Sequence, residues 1–330
     1  MKKILFSLVL LVAMAVGGMV YWAGQAIIAD GPAMPFTIVP GSGLGATAAQ
    51  IAASGIPLQP ALFGLLVRVE GKENRLKAGS YELKPGTTPL RLIEQLVRGE
   101  FAQETLVIIE GWTFKQMREA VANHPALKHD TKTLGERELL ARIAPGFDKA
   151  EGLFFPDTYL FAKGASDWQI YKQAHLSLMK RLAAAWEKRD AELPYRSPYQ
   201  ALIMASIVEK ETGQKSERGM IAGVFVNRLR QGMLLQTDPT VIYGMGERYQ
   251  GKIHKRDLET DTPYNTYTRP GLPPTPIALP GSAALLAALG PSQTEALYFV
   301  ARNDGTSQFS NNLNEHNRAV NKYQRDQHDK

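Results

Sequence analysis

The residues able to do chemistry are few in kind. The chain has no cysteine, so disulfides, thiolate metal sites and a thiolate nucleophile are excluded. Its six histidines, His124, His129, His175, His254, His316 and His328, show no His-Glu-x-x-His or related metal spacing. No Gly-x-Ser-x-Gly elbow is present either. Carboxylates remain, and one pair stands out. Glu209 and Glu211 end the otherwise apolar run ALIMASIV at 201–208. A helix apolar on most faces is buried, which sets charges at its end beside a low-dielectric interior. Two positions apart on a helix is ~200° of rotation, so the two carboxyls face opposite ways and are not expected in one cleft. Glu211 follows Ile207 and Val208 by one turn and Met204 by two, whereas Glu209 follows Ala205 and Ser206. The bulkier apolar collar around Glu211 favours desolvation, which raises a carboxyl pKa as a general acid near neutral pH requires. Glu209 has more room for a hydrogen bond or ion pair. The plain alternative is that both are solvated charges at a surface helix end.

Two further clusters offer sugar-binding chemistry. LQTDPTVIYGMG (235–246) supplies Gln236, Thr237, Asp238 and Tyr243, and TPYNTYTRPGLPP (262–274) supplies Tyr264, Asn265, Thr266 and Tyr267. Sugars bind where aromatic faces cover ring C–H surfaces and amides or carboxylates meet hydroxyls. The same composition is ordinary turn chemistry, so it does not decide the matter alone. Both clusters lie in a loop-rich stretch, 235–280, with seven prolines from Pro239 to Pro280. A stretch so long is functional or disordered. Its apolar and aromatic content argues against disorder and points to the wall of a cleft.

The elements that must position these residues are legible from periodicity. A helix is expected over about 197–211, with Pro198 tolerated in its first turn and Thr212-Gly213 closing it. The next begins near Ser216, a candidate cap, and buries Ile221, Val224, Phe225 and Leu229. Upstream, the aromatic, turn-rich EGLFFPDTYLF (151–161) precedes a helix over about 167–190, with Ile170, Ala174, Leu178 and Leu182 on one face. LYFVARNDGTSQF (297–309) reads as a hairpin with an Asp-Gly turn, followed by a polar helix over about 312–325.

Nearer the N-terminus one pattern recurs three times: FTIVPGSGLGATAAQI (36–51), YELKPGTTPLRLIEQL (81–96) and LVIIEGWTFKQMREAV (106–121). Each reads as strand, tight turn and helix, with a Ser or Thr able to cap the helix. In the second, Leu90, Ile93, Leu96 and Val97 form an apolar stripe. Such units build a small α+β module, either a glycan binder or a spacer. The GSGLG within the first lacks the third glycine position of a dinucleotide loop.

The 330 residues allow about two domains beyond a targeting segment, and 44% hydrophobic with 21% charged residues is ordinary globular composition. A net charge of +6 without a Lys/Arg block gives no case for nucleic acid. Lys2 and Lys3 precede an uncharged apolar run, 4–29, that contains Tyr21-Trp22. Its length and the aromatic pair favour an uncleaved membrane anchor over a signal peptide. The positive-inside rule puts the N-terminus in the cytoplasm and the remaining ~300 residues outside.

Taken together, these blocks resemble the MltG (YceG-like) family of endolytic murein transglycosylases. The likeness is carried by the anchor, EGLFFPDTY (151–159), IVEKET (207–212), SERGMIAGVFVNRL (216–229), LQTDPTVIYG (235–244), YNTYTRPGLPP (264–274) and FSNNLNEHN (309–317). It implies an α+β fold in three parts: a transmembrane anchor (1–30), a small LysM-like module (31–125) and a mixed α+β catalytic domain (126–330). It implies cleavage of the MurNAc–GlcNAc β-1,4 bond in nascent peptidoglycan, leaving 1,6-anhydroMurNAc ends and terminating strand elongation. The resemblance carries the family's catalytic glutamate onto Glu211, with Glu209 as the fallback. Glu209, Gln236, Asp238, Asn265 and Tyr267 become candidate substrate contacts. It implies no metal and no cofactor, an inner-membrane location with the catalytic domain in the periplasm, and cooperation with penicillin-binding glycan polymerases. Two other readings stay open. One is a glycan-binding scaffold without activity. The other is a pyridoxal-phosphate-type lyase, which an exported, anchored domain argues against.

Overall fold

In the computed structural model, which describes residues 2–211, 214–302 and 304–325, the apolar N-terminus is a helix, α1 (Lys2–Ala23). At ~1.5 Å per residue its 22 residues reach ~33 Å, enough for a ~30 Å hydrocarbon core. Among the described residues it is the one helix long and apolar enough to cross a membrane. The helix ends before the apolar run does. Ala23 is buried and Ile27 and Ile28 pack on the core of the first folded unit. The Ile27 N–H donates to the Thr87 carbonyl (2.8 Å) and the Gly86 N–H to the Ile28 carbonyl (2.9 Å). The last residues of 4–29 thus spend their backbone polarity on the folded chain, which a lipid-embedded segment cannot do.

The chain forms two compact units. The first comprises residues up to Glu104 with Leu160–Ala165. It contains β1 (Met34–Ile38), α2 (Leu44–Ala53), α3 (Pro60–Val69), β2 (Gly79–Leu83) and α4 (Pro89–Arg98). β1 and β2 pair antiparallel from Met34↔Leu83 to Ile38↔Gly79. Period-2 alternation turns Phe36, Ile38, Tyr81 and Leu83 inward, onto Ile51, Phe63, Leu92, Ile93 and Leu96 of the helices. The stripe of α4 is therefore Pro89, Leu92, Ile93 and Leu96, while Leu90 is exposed and Val97 only partly buried. Thr88 caps α4 by accepting from the Arg91 N–H (3.2 Å), and Gly99 ends it in the left-handed conformation. The first repeat differs. Its N-cap is Gly43, and Ser42 instead accepts from Gln50 Nε2 (2.9 Å).

The second unit comprises Thr105–Tyr159 and the chain from Ser166 onward. In order, β3 (Gln103–Val107) leads into it and is followed by α5 (Phe114–Asn123), α6 (Glu136–Ile143) and β4 (Thr158–Ala162). Then come α7 (Trp168–Glu187), α8 (Pro198–Glu211), α9 (Arg218–Arg230), α10 (Asp238–Met245), α11 (Lys255–Glu259) and α12 (Ser282–Leu289). The hairpin β5 (Tyr298–Ala301) and β6 (Ser307–Ser310) and the helix α13 (Leu313–Val320) complete it. β3 pairs with β4, apart from the β1–β2 sheet, so the three repeats do not share one sheet. The third repeat joins the second unit because of its helix. Phe114, Met117 and Val121 are buried, and Phe114 stacks on Phe154 (5.3 Å) and meets Tyr171 (6.3 Å). The compact units accordingly divide at Glu104/Thr105.

α8 is the centre of the second unit. Residues Ala201 to Glu209 are all buried, and the helix packs on α12, α9, α10 and α7. On α7 the expected Ile170, Ala174, Leu178 and Leu182 are buried. The closing Thr212-Gly213 lies outside the described residues. Ser216 does not cap α9: it lies exposed in a 3-10 turn (Lys215–Glu217), and α9 starts at Arg218 without a side-chain cap. Ile221, Val224 and Phe225 are buried on α9 but Leu229 is only partly so. By contrast α5 carries a full capping box, Thr113 Oγ1 accepting from the Gln116 N–H (3.3 Å) and Gln116 Oε1 from the Thr113 N–H (2.8 Å). Thr113→Ala is expected to cost about 1 kcal/mol of unfolding free energy. Ser216→Ala should leave it unchanged, and chemical denaturation of the two variants checks the contrast.

Candidate active site

The two glutamates ending α8 meet opposite surroundings. Glu209 is buried and forms a salt bridge with Arg218 at the start of α9 (2.7 Å). Its second oxygen accepts from the Gly281 N–H (2.9 Å). Burial pushes its carboxyl pKa up, while the Gly281 N–H and the Arg218 guanidinium oppose that rise and stabilise the ionised form. The Glu110 side chain lies against Gly281, in the space a Cβ would take. The same corner is closed by Gly111 N–H to Leu279 O (2.9 Å) and Leu279 N–H to Trp112 O (2.7 Å). Glu209 thus ties α8 to α9 and to the segment entering α12.

Among the described residues Glu211, on the other face, has no cationic partner in hydrogen-bond contact. Its Oε1 accepts from the Thr237 hydroxyl (2.9 Å). Desolvation pushes its pKa up to about 7; the Thr237 hydrogen bond opposes this, the nearby Asp238 charge adds to it, and Arg228 counteracts. It is also the last residue of α8, where the negative end of the helix dipole disfavours an anion. Phe225 on α9 and Leu235 add apolar walls to the cavity it lines.

That cavity, of about 580 Å³, is the meeting place of most sequence candidates. Glu211, Gln236, Asp238 and Tyr267 line it, together with Arg228, Tyr298 and His316. The Tyr267 hydroxyl donates to Asp238 Oδ1 (2.6 Å). Gln236 has φ of 48°, a left-handed conformation costly for a side-chain-bearing residue. It is held there by Gln236 N–H to Thr266 O (3.1 Å) and Thr237 N–H to Thr266 Oγ1 (3.1 Å). Two candidates are placed elsewhere. Glu209 faces the α9 side, as described. Asn265 is fully buried: its Nδ2 donates to the carbonyls of Leu258 (2.9 Å) and Thr260 (2.7 Å), and its Oδ1 accepts from the Tyr267 N–H (2.8 Å). It shapes the loop that presents Tyr267, and is not a wall of the cavity. Tyr243 and Tyr264 also turn away, packing on each other (4.8 Å) and bonding Glu151 and Thr275.

Two contributors escaped sequence reasoning. Arg228 is buried and gives Nε to the Leu297 carbonyl (2.7 Å) and Nη1 to the Leu235 carbonyl (2.9 Å), so it joins α9 to the hairpin and to the segment before α10. Tyr298 stacks on His316 (5.1 Å), lies under Arg228 (5.0 Å) and lines the cavity with both of them. Their partners are distant in sequence, so no local pattern reveals them. Glu151 is a second carboxyl pushed up to about 7 by burial, but it accepts from the Phe114 N–H (3.0 Å) and the Tyr243 hydroxyl (3.2 Å), away from the cavity.

The two environments predict different responses to mutation. A carboxyl whose pKa rises on folding keeps its proton in the folded state where the unfolded chain has lost it. Its contribution to stability is therefore full below the unfolded value of 4.5 and is lost as pH rises through about 7. The stability of the natural protein relative to Glu211→Gln should fall across that window and level off above it. Glu209→Ala instead leaves Arg218 buried without its partner, at an expected cost of about 3–5 kcal/mol. Denaturant unfolding of the three proteins at pH values on both sides of the window reads both effects.

The YceG-like family model matches residues 36–322. An endolytic murein transglycosylase of Bacillus subtilis (strain 168) is 31% identical over 302 residues, covering 86% of this chain and 82% of that one. One from Streptococcus pneumoniae (serotype 2, strain D39) is 30% identical over 289 residues, covering 74% of this chain but 50% of the longer relative. The crystal structure of a protein described as YceG-like from Listeria monocytogenes superposes with a TM-score of 0.56 at 32% identity, covering 88% of this chain and all of that one. The chain belongs to the YceG-like family.

Proposed function

We propose that this protein is a membrane-anchored lytic transglycosylase that cuts peptidoglycan strands internally at the MurNAc–GlcNAc β-1,4 bond. The observation that carries the reading is Glu211: a carboxyl raised to about 7, on the wall of an aromatic and polar cavity of about 580 Å³. An acid of that strength is protonated when substrate binds near neutral pH and ionised after donating. Glu211 gives its proton to the glycosidic oxygen as the C1–O bond breaks, leaving an oxocarbenium-like muramyl ring. Its carboxylate then takes the proton of the C6 hydroxyl, whose oxygen closes onto C1. The products are a GlcNAc hydroxyl and a 1,6-anhydroMurNAc end, with no water consumed and no cofactor required.

The neighbours have matching roles. The Thr237 hydroxyl orients the Glu211 carboxyl. Asp238 lines the cavity beside Glu211, so its charge keeps the proton on the acid before attack and stabilises the cationic ring after it. Tyr267 fixes the Asp238 carboxylate, and Tyr298, packed between His316 and Arg228, adds an aromatic edge to the wall. A second carboxylate in the cavity also allows hydrolysis, in which Asp238 would serve the water or the ring carbon. Hydrolysis leaves a reducing muramyl end, heavier than the anhydro end by one water. The strand–turn–helix repeats of the first unit support a LysM-like glycan-holding role. α1 anchors the enzyme with the lysine-bearing end in the cytoplasm and the cavity in the periplasm, where penicillin-binding glycan polymerases deliver new strands.

Mass analysis of muropeptides released from sacculi tests the reaction. Anhydro ends are expected with the natural protein and none with Glu211→Gln, folded to the same stability below pH about 4.5. Reducing ends would replace the proposal by hydrolysis, and full activity of the variant would refute the assignment of Glu211. The kcat/KM of the natural enzyme should fall as pH rises through about 7, since the free enzyme then loses its acid. Asp238→Asn removes a like charge beside Glu211, so the alkaline limb of its pH profile should move to lower pH.

A further inference from the structure

A second cavity, of about 330 Å³, opens at the far end of α10. Its wall is cationic: Arg248, Lys252 and Arg256, with His254, against the single acid Asp257. Asp257 is already engaged, accepting from the His254 N–H (2.8 Å) and lying 3.8 Å from Arg256. Among the described residues, neither Arg248 nor Lys252 makes an ion pair. Val241 and Met245 add an apolar patch, and Thr260 and Thr262 supply hydroxyls. Exposed cations around an apolar patch suit a ligand that carries carboxylates on a short, partly apolar chain.

The position of this cavity relative to Glu211 gives the ligand an identity. α10 connects the two sites: Asp238 at its start lines the Glu211 cavity, and Met245 at its end lines the cationic one. Seven steps of helix rise separate them by ~10 Å, about the span of three extended residues of peptide. The loop between is braced by side-chain hydrogen bonds. Asn265 grips the carbonyls of Leu258 and Thr260 with its amide and the Tyr267 N–H with its oxygen, so the cationic wall and Tyr267 are held by one side chain. A muramyl sugar at Glu211 carries a peptide stem of the required reach, ending in carboxylates.

We infer that the cationic cavity binds the carboxylates of the peptide stem attached to the muramyl residue being cleaved. The inference rests on the proposed glycan substrate, but its test does not require turnover. Full-length Glu211→Gln protein in detergent is titrated with fluorescent glycan strands released from sacculi, which carry no lipid pyrophosphate. Three forms are compared: strands with intact stems, strands stripped of stems by an amidase, and strands whose stem carboxylates are amidated. Intact strands are expected to bind more tightly than the other two. Arg248→Gln/Lys252→Gln should weaken binding of intact strands by roughly five- to tenfold, the scale of two solvent-exposed charge pairs, and should leave stripped strands unaffected. Raising salt should reproduce the loss. Equal binding of the three forms, or equal weakening of all by the double variant, would overturn the inference. If the natural protein generates no anhydro ends while the stem preference persists, the catalytic reading fails and the cationic subsite stands.

Discussion

Nine consecutive buried residues, Ala201 to Glu209, leave α8 without a solvent face, and the rest of the second unit is built to supply what such a helix needs. Apolar partners come from α7, α9, α10 and α12. Polar groups on a buried helix have to find partners within the protein. Ser206 does so by donating to the Ile203 carbonyl (2.7 Å) and accepting from the Ile277 N–H (3.0 Å). Glu209 does so with Arg218 and Gly281. The helix therefore recruits the 277–281 segment and the start of α9 to the same place, and its last residue, Glu211, is delivered to the edge of the cavity.

Desolvation acts on both terminal glutamates, and the partners decide what it produces. At Glu209 a guanidinium and a backbone N–H offset part of the cost of burial, in a structural ion pair. Such pairs contribute little net stability yet are expensive to break. At Glu211 a single hydroxyl contact, a neighbouring carboxylate and the helix dipole leave the cost largely uncompensated, so the proton is retained near neutrality. The same residue type two positions apart becomes half of an ion pair in one case and a candidate proton donor in the other.

The stretch from 235 to 280 shows how a segment with little regular structure can still be rigid. Its order comes from buried polar side chains that replace ladder hydrogen bonds. Asn265 binds three carbonyls and an N–H, Thr240 and Thr266 bond each other (2.8 Å), and Thr266 also holds Gln236 and Thr237 through its backbone and hydroxyl. Together these fix the left-handed turn at Gln236 that lets Thr237 point at Glu211 while Asp238 starts α10. Candidate residues chosen as sugar contacts by composition are divided by this network into those that face the cavity and Asn265, which holds the loop.

Local sequence determined the elements. Helical spacing of apolar residues located α4, α7, α8 and α9, the Asp-Gly turn located the β5–β6 hairpin, and the unbroken apolar N-terminus located α1, because these features follow from periodicity and turn chemistry within a few residues. The opposite facing of Glu209 and Glu211 also followed from helix geometry alone. Tertiary structure decided what depends on partners far along the chain. It fixed which glutamate meets Arg218 and which meets Thr237, the membership of α5 in the second unit through Phe154 and Tyr171, the early end of α1 where Ile27 and Ile28 join a core, and the placing of Arg228 and Tyr298 beside Glu211. The electrostatics of the acid belong to that second group, since a carboxyl pKa is set by everything within a few ångströms, and for Glu211 most of that arrives from elsewhere in the sequence.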